Sequence, residues 1–283
     1  MTAALAACVL GIGAASVPAG AVEPAAQSKA ATRHAPVEML RDENGDALRM
    51  FDSQLVSTNW SGYVLPKFLT GKNYTAAQAS WTVPEVFFDG IESASASWIG
   101  IGGFCKSKKC KRGDVDKTLI QLGTEQDAIS DGDINYYAWY EMLPKAETLT
   151  PLVVSPGDRI TASLSCTGKC KNKQSWTLSI MNETTGNSWS KVVTYKASKL
   201  SVEVIQEAPS DQHGVLPLAD FGTVSFTDTT ADAVGLNFSE GDSLVLQDPN
   251  GGASSNVSAP DATMDGFSAC FSPDSTVATC TSP

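Results

Sequence analysis

Gln121 and Glu207 each interrupt a run of apolar residues, in Leu119-Ile120-Gln121-Leu122-Gly123 and in Ser201-Val202-Glu203-Val204-Ile205-Gln206-Glu207. Alternation along a strand puts Gln121 on one face with Leu119, and Glu207 on one face with Ile205 and Glu203. In Tyr136-Tyr137-Ala138-Trp139-Tyr140-Glu141 the same period groups Tyr137, Trp139 and Glu141. A carboxylate or amide on a mainly apolar face is costly unless it is partnered or neutral, so these residues are candidates for acid–base chemistry or binding. The pattern equally describes strands whose polar face meets water. Glu141 with Glu207 would also suit a jelly-roll glycoside hydrolase, whose retaining class holds two carboxyl groups about 5–5.5 Å apart. The aromatic residues beside them would suit a carbohydrate-binding module.

Other hydrolytic machinery is missing. Outside the N-terminal region the single imidazole is His213, in the turn-like Asp211-Gln212-His213-Gly214, and no G-x-S-x-G or H-E-x-x-H occurs. The paired D-T-G or D-S-G of aspartic peptidases and the phosphate-binding loop are absent as well. Asp127, Asp131 and Asp133 lack the spacing of a calcium loop and read as a solvated turn. No metal or cofactor is expected.

The elements that must position these residues are short β-like runs separated by turn residues: Trp60–Leu65, Ala77–Val83, Ser95–Ile101, Thr118–Gly123, Ile134–Glu141, Arg159–Ser165, Ser175–Met181, Ser188–Tyr195, Ser201–Glu207, Gly222–Thr227 and Ser243–Gln247. No long helical period occurs among them. The expected fold is all-β, an antiparallel β-sandwich of jelly-roll type. Thirty-one acidic against twenty basic residues give a net charge of −11, which disfavours nucleic acid and anionic membranes as partners.

Residues 1–21 form an apolar, Ala-rich run ending in Ala19-Gly20-Ala21 and read as a signal peptide, so a secreted chain is expected. Residues 22–58 read as a pro-segment or linker, with one amphipathic helix expected over Val37–Phe51. A basic-tinged segment on an acidic enzyme would loosen in acid. Residues 59–283 form the sandwich domain. Six cysteines fall into three local pairs, Cys105 with Cys110, Cys166 with Cys170 and Cys270 with Cys280, and read as disulfides rather than a zinc site.

Several motifs occur in a telling order: Asn59-Trp60-Ser61-Gly62-Tyr63, Trp81-Thr82-Val83-Pro84, Ser97-Trp98-Ile99-Gly100-Ile101-Gly102-Gly103, Ile120-Gln121-Leu122-Gly123, Ala138-Trp139-Tyr140-Glu141 and Glu203-Val204-Ile205-Gln206-Glu207. With Glu183-Thr184-Thr185-Gly186 and Phe221–Thr227, this set resembles the eqolisins, the glutamic peptidases. The resemblance covers roughly residues 59–230. It implies two packed sheets of about seven strands each, a catalytic Gln–Glu dyad at Gln121 and Glu207, and a groove lined or supported by Trp60, Gly62, Trp98, Glu125 and Glu141. Trp139 joins this substrate-binding set. The resemblance further implies peptide or protein substrates; a monomer is expected, with nothing in the sequence pointing to an oligomer. The chain departs from the family at Gly102, where an Asp is usual, and at Leu143, where a groove tyrosine is usual. Both changes are expected to alter subsite preference and groove charge.

Overall fold

The computed structural model describes residues 32–50, 54–104, 116–168, 170–172, 174–276 and 279–283. Its strands, in chain order, are β1 (Arg49–Met50), β2 (Gln54–Ser57), β3 (Trp60–Pro66), β4 (Ala76–Thr82), β5 (Ser93–Gly102), β6 (Leu119–Ser130), β7 (Asp133–Met142), β8 (Thr148–Leu149), β9 (Arg159–Thr167) and β10 (Ser175–Asn182). They continue with β11 (Asn187–Thr194), β12 (Ser201–Glu207), β13 (Ser210–Asp211), β14 (Gly214–Val215), β15 (Thr223–Ala231), β16 (Val234–Gly235), β17 (Asp242–Gln247), β18 (Ser254–Val257) and β19 (Phe267–Ser272). A single helical turn, α1 (Lys67–Thr70), follows β3 and ends at Gly71 in the left-handed region.

Pairing builds two layers. The wide layer runs β8-β7-β6-β5-β12-β3-β17-β18-β19-β15 through antiparallel pairs, with β2 added in parallel to β17 and β1 antiparallel to β2. The narrow layer runs β15-β4-β9-β10-β11, also antiparallel. One strand belongs to both. Thr223–Phe226 of β15 pair with β19, whereas Thr227–Ala231 pair with β4 after a register shift beside Asp228, whose φ is 53°. A bulge of this kind bends a strand and lets it turn the corner between sheets. The layers are therefore unequal, not the matched pair of about seven strands that the resemblance implied. The all-β sandwich itself is as expected.

Alternation sorts the wide layer's side chains. Ile99, Ile101, Ile120, Leu122, Val202 and Val204 point to the narrow layer, where they join Trp81, Ile160, Leu178, Phe226 and Phe267 in one buried cluster. A second apolar cluster lies on the other face, around Trp60, Trp98, Leu119, Trp139 and Ile205. This face holds the site.

Three local expectations need correction. β6 does not stop at Gly123 but continues to Ser130. Its polar extension is buried and bonded: Trp81 Nε1 donates to Thr124 Oγ1 at 2.9 Å, and Gln126 Nε2 to the Ser95 carbonyl at 2.6 Å. Asp127 is likewise buried within β6, accepting from the Tyr137 hydroxyl at 3.0 Å, so it is no part of a solvated turn. The described part of the expected helix, residues 37–50, contains no helix. Its backbone bonds to the sheet instead, with Leu40 N donating to Val56 O and Val56 N to Leu48 O. An Asp42 side chain that accepts from the backbones of Asn44 and Asp46 turns the chain between these contacts.

Disulfides join Cys166 to Cys170 and Cys270 to Cys280, as expected. The expected signal peptide and the Cys105–Cys110 pair lie outside the described residues. Among the described residues no helix is long and apolar enough to cross a membrane.

Candidate active site

Strand register places the outward residues of β7, β6, β5, β12 and β3 in three rows. The first is Tyr137–Glu125–Ala96–Glu207–Trp60, the second Trp139–Gly123–Trp98–Ile205–Gly62, and the third Glu141–Gln121–Gly100–Glu203–Val64. Small residues at Ala96, Gly100, Gly123 and Gly62 leave a floor from which the long polar and aromatic side chains rise. Gly62 contributes backbone only. Its φ is +145°, and a Cβ there would lie 2.2 Å from the Val204 carbonyl oxygen, so no other residue lets β3 approach β12 this closely.

The segment Thr32–Val37 crosses this face. Arg33 and Ser210 exchange backbone hydrogen bonds of 2.7 and 2.9 Å. Trp60 Nε1 donates to the Ala35 carbonyl at 3.1 Å, and Asn59 Nδ2 to that of Pro36 at 3.2 Å. Gln121 Nε2 donates to the His34 carbonyl at 3.0 Å and to Glu141 Oε2 at 2.9 Å. The same Glu141 oxygen accepts from the His34 backbone N–H at 3.0 Å.

The His34 side chain is fully buried. Its ring stacks on Trp139 with centroids 3.4 Å apart and planes 4° from parallel. Nδ1 lies 3.1 Å from Glu207 Oε2, and Nε2 lies 3.1 Å from Glu125 and 3.3 Å from Glu147. Trp98 Nε1 donates to the same Glu207 oxygen at 2.7 Å. Among the buried oxygens on this face, Gln121 Oε1, Glu207 Oε1 and Glu141 Oε1 have no hydrogen-bond partner among the described residues.

Burial shapes the electrostatics. Desolvation drives the Glu207 carboxyl up to about 7, although the charge and hydrogen bond of His34 and the indole donors of Trp98 and Trp60 oppose it. Glu141 rises to about 8 for the same reason, again opposed by His34. Desolvation works against the charge on His34. The Glu207 charge and the hydrogen bonds to Glu125, Glu147 and Glu207 outweigh it and hold the imidazole well above its ordinary value.

Gln121, Glu207, Glu125, Glu141 and Trp139 thus meet around His34, with Trp60 bonded to Ala35 beside it and Trp98 to Glu207. His34 and Glu147 are the members that sequence reasoning missed as site residues. His34 sits in a segment without apolar periodicity, and Glu147 follows β7 in a loop, so spacing carries no signal for either. His213 lies in the exposed β13–β14 turn, away from any such cluster. At Gly102 the φ of +91° and a Cβ position 2.0 Å from the Thr118 carbonyl oxygen exclude any side chain in this backbone. Leu143 packs in the groove-side apolar cluster. One atom each of His34, Glu125 and Glu147 lies within 4.8 Å of the others, a set that could hold a cation. The hydrogen-bond distances from Nε2 to both carboxylates pair these groups with one another.

The sequence pattern of the Peptidase A4 family matches residues 58–264. Aspergillopepsin-2 of Aspergillus niger is 30% identical over 207 residues, covering 67% of this chain and 70% of its own. The crystal structure of scytalido-glutamic peptidase with a transition state analog inhibitor superposes with a TM-score of 0.57 at 24% identity, covering 76% of this chain and 98% of that one. A second structure of that peptidase, with a peptide based transition state analog, gives 0.56 at 25% identity over the same shares. This chain belongs to the Peptidase A4 family, the glutamic peptidases or eqolisins, and is a hydrolase of peptide bonds.

Proposed function

We propose that the chain is a secreted acid endopeptidase in which Glu207 acts as general base and Gln121 as oxyanion donor. One observation carries this reading: a peptide carbonyl, that of His34, already accepts from Gln121 Nε2, while Glu207 reaches the side chain of the same residue. An amide cannot titrate, so Gln121 keeps its donor at any pH. Its N–H groups would stabilise the negative charge that develops on the scissile carbonyl. Gln121 Oε1 and Glu207 Oε1, free of partners among the described residues, would hold the attacking water. Glu207 takes the proton of that water and then gives it to the departing amide nitrogen.

Trp98 fixes Glu207 through its indole N–H, and Glu141 fixes the orientation of the Gln121 amide. These supports matter because a misplaced base loses much of its effect. With the segment in place Glu207 is raised to about 7 and is mostly protonated in acid. The base becomes competent when the groove opens to water and its carboxyl returns toward the ordinary value of about 4.3.

The glycosidase and carbohydrate-binding readings fall with the family assignment. The test is digestion of a protein substrate at about pH 3–4, where an ordinary carboxyl is partly ionised, with pepstatin present and polysaccharide as a control. Pepstatin-insensitive proteolysis that Gln121→Ala strongly reduces supports the reading. Proteolysis indifferent to that substitution contradicts it.

A further inference from the structure

We propose that Ser97 and Gln206, in a polar row on the reverse of the wide sheet, are positioning residues that hold Trp98 and Glu207 in register with one another. The proposal rests on reading Glu207 as the general base. Strand register sets Ser61, Gln206, Ser97 and Thr124 side by side on β3, β12, β5 and β6. Each is the chain neighbour of a groove residue: Ser61 follows Trp60, Gln206 precedes Glu207, Ser97 precedes Trp98, and Thr124 precedes Glu125. Alternation therefore aims the row into the interior while its neighbours face the groove.

All four are fully buried. Two residues further along the same face stand Tyr63, Val204, Ile99 and Leu122 of the apolar core. A hydroxyl or amide in such a place costs free energy unless it is bonded, and here the bonds run between strands. Ser97 Oγ donates to Gln206 Oε1 at 2.6 Å. Ser61 Oγ donates to the Gln206 main-chain carbonyl at 3.1 Å and lies 2.7 Å from Ser255 Oγ on β18. Thr124 Oγ1 accepts from Trp81 Nε1 at 2.9 Å, which ties the row to the narrow layer. Gln206 Nε2 has no partner among the described residues. A methionine of the same length would avoid that cost, so stability alone does not account for Gln206.

The use lies one residue away. On the groove face Trp98 Nε1 donates to Glu207 Oε2 at 2.7 Å, and on the reverse face Ser97 bonds Gln206. Two short bonds on opposite faces of one strand pair oppose the rolling of β12 against β5, which either bond alone would permit. Polar bonds of this kind fix a single arrangement, whereas apolar contacts tolerate sliding. The Trp98 bond favours the charged form of Glu207, so loosening it lets the carboxyl rise. The other groups facing Glu207 are His34, with Glu125 and Glu147 behind it, Glu141 on β7 and the Trp60 indole on β3. All of these lie on the groove side, away from the row.

The experiment measures kcat, KM and the pH profile of peptide hydrolysis for Gln206→Met, Ser97→Ala and the double variant, with an unfolding curve for each. Gln206→Glu is the rescuing variant, because a buried neutral carboxyl keeps an oxygen to accept from Ser97. Gln206→Met and the double variant should lose ~10- to 10²-fold in kcat, the effect of a misplaced base, with KM little changed. The acid limb of their profiles should move to higher pH, and Gln206→Glu should restore both rate and limb. The double variant strands no acceptor, so it should unfold no earlier than Ser97→Ala and yet remain slow. A folded Gln206→Met chain with wild-type kcat and acid limb overturns the proposal. So does a loss of rate that follows unfolding alone and is not recovered in Gln206→Glu. Glu207→Gln is measured beside them. If it hydrolyses at the wild-type rate, the reading of Glu207 as base falls. If it is inactive while Gln206→Met is unaffected, that reading stands and only the positioning role is removed.

Discussion

The two faces of the wide sheet are built from the same strands and follow opposite rules. Toward the narrow layer, Ile99, Ile101, Ile120, Leu122, Val202 and Val204 pack with Trp81 and Phe226 in a mainly apolar cluster whose few polar members are hydrogen-bonded. On the opposite face the same strands present Gln121, Glu125, Glu141, Glu203 and Glu207, all buried. Glu203 is also pushed well up by desolvation, partly opposed by the Ser201 hydroxyl beside it. Burial stabilises the first face at roughly 25 cal/mol per Å² of apolar surface. On the second, burial costs free energy for every charge. The core thus supports a site that would not be stable alone, and each face should respond to mutation in its own way.

The largest effect expected on stability comes from the core. Trp81→Ala removes a fully buried indole and its bond to Thr124 and should lower stability by about 3–5 kcal/mol, measured by denaturant unfolding. The groove face should behave in reverse. Glu141 is raised to about 8 in the folded chain, so as pH climbs from its ordinary value toward 8 the folded chain keeps a proton that the unfolded chain has released, and stability falls. Glu141→Gln, which keeps a carbonyl to accept from Gln121 and His34, should therefore be more stable than wild type at pH 8, on the order of a few kcal/mol, and no different at pH 4. A melting-temperature series across pH checks this. Equal curves would mean that Glu141 is well solvated, and the contrast between faces would weaken.

A smaller effect joins the two faces. At Gly123 an added Cβ would lie 2.5 Å from the Trp98 Cβ and 2.3 Å from the Ser97 carbonyl oxygen. Gly123→Ala should cost about 1–3 kcal/mol by overpacking. It should also lower activity, because the displaced Trp98 holds Glu207 through its indole N–H. Kinetics and unfolding measured together would separate the two consequences.

Much of the fold was legible because alternation is a direct readout of burial. Ser201–Glu207 is a strand with the bounds expected, and β7 differs by a residue at either end. The second half of β6 was hidden, since Thr124 to Asp127 look like loop residues until their buried partners on neighbouring strands are known. Pattern alone made Gln121 and Glu207 polar residues on apolar faces, and the ordered resemblance to the eqolisins made them a pair. Neither source pointed to His34. Its contacts span between 87 and 173 residues of sequence, a distance over which spacing carries no information.

The central claim is that Glu207 does the chemistry on a face whose stability comes from elsewhere. Its most direct test is the peptide-hydrolysis rate of Glu207→Gln beside its unfolding curve, both compared with wild type. The account predicts a cooperatively folded chain whose kcat/KM has fallen by at least ~10³-fold, the loss expected when a general base is removed. A folded Glu207→Gln chain that hydrolyses peptides at near wild-type rate would contradict it.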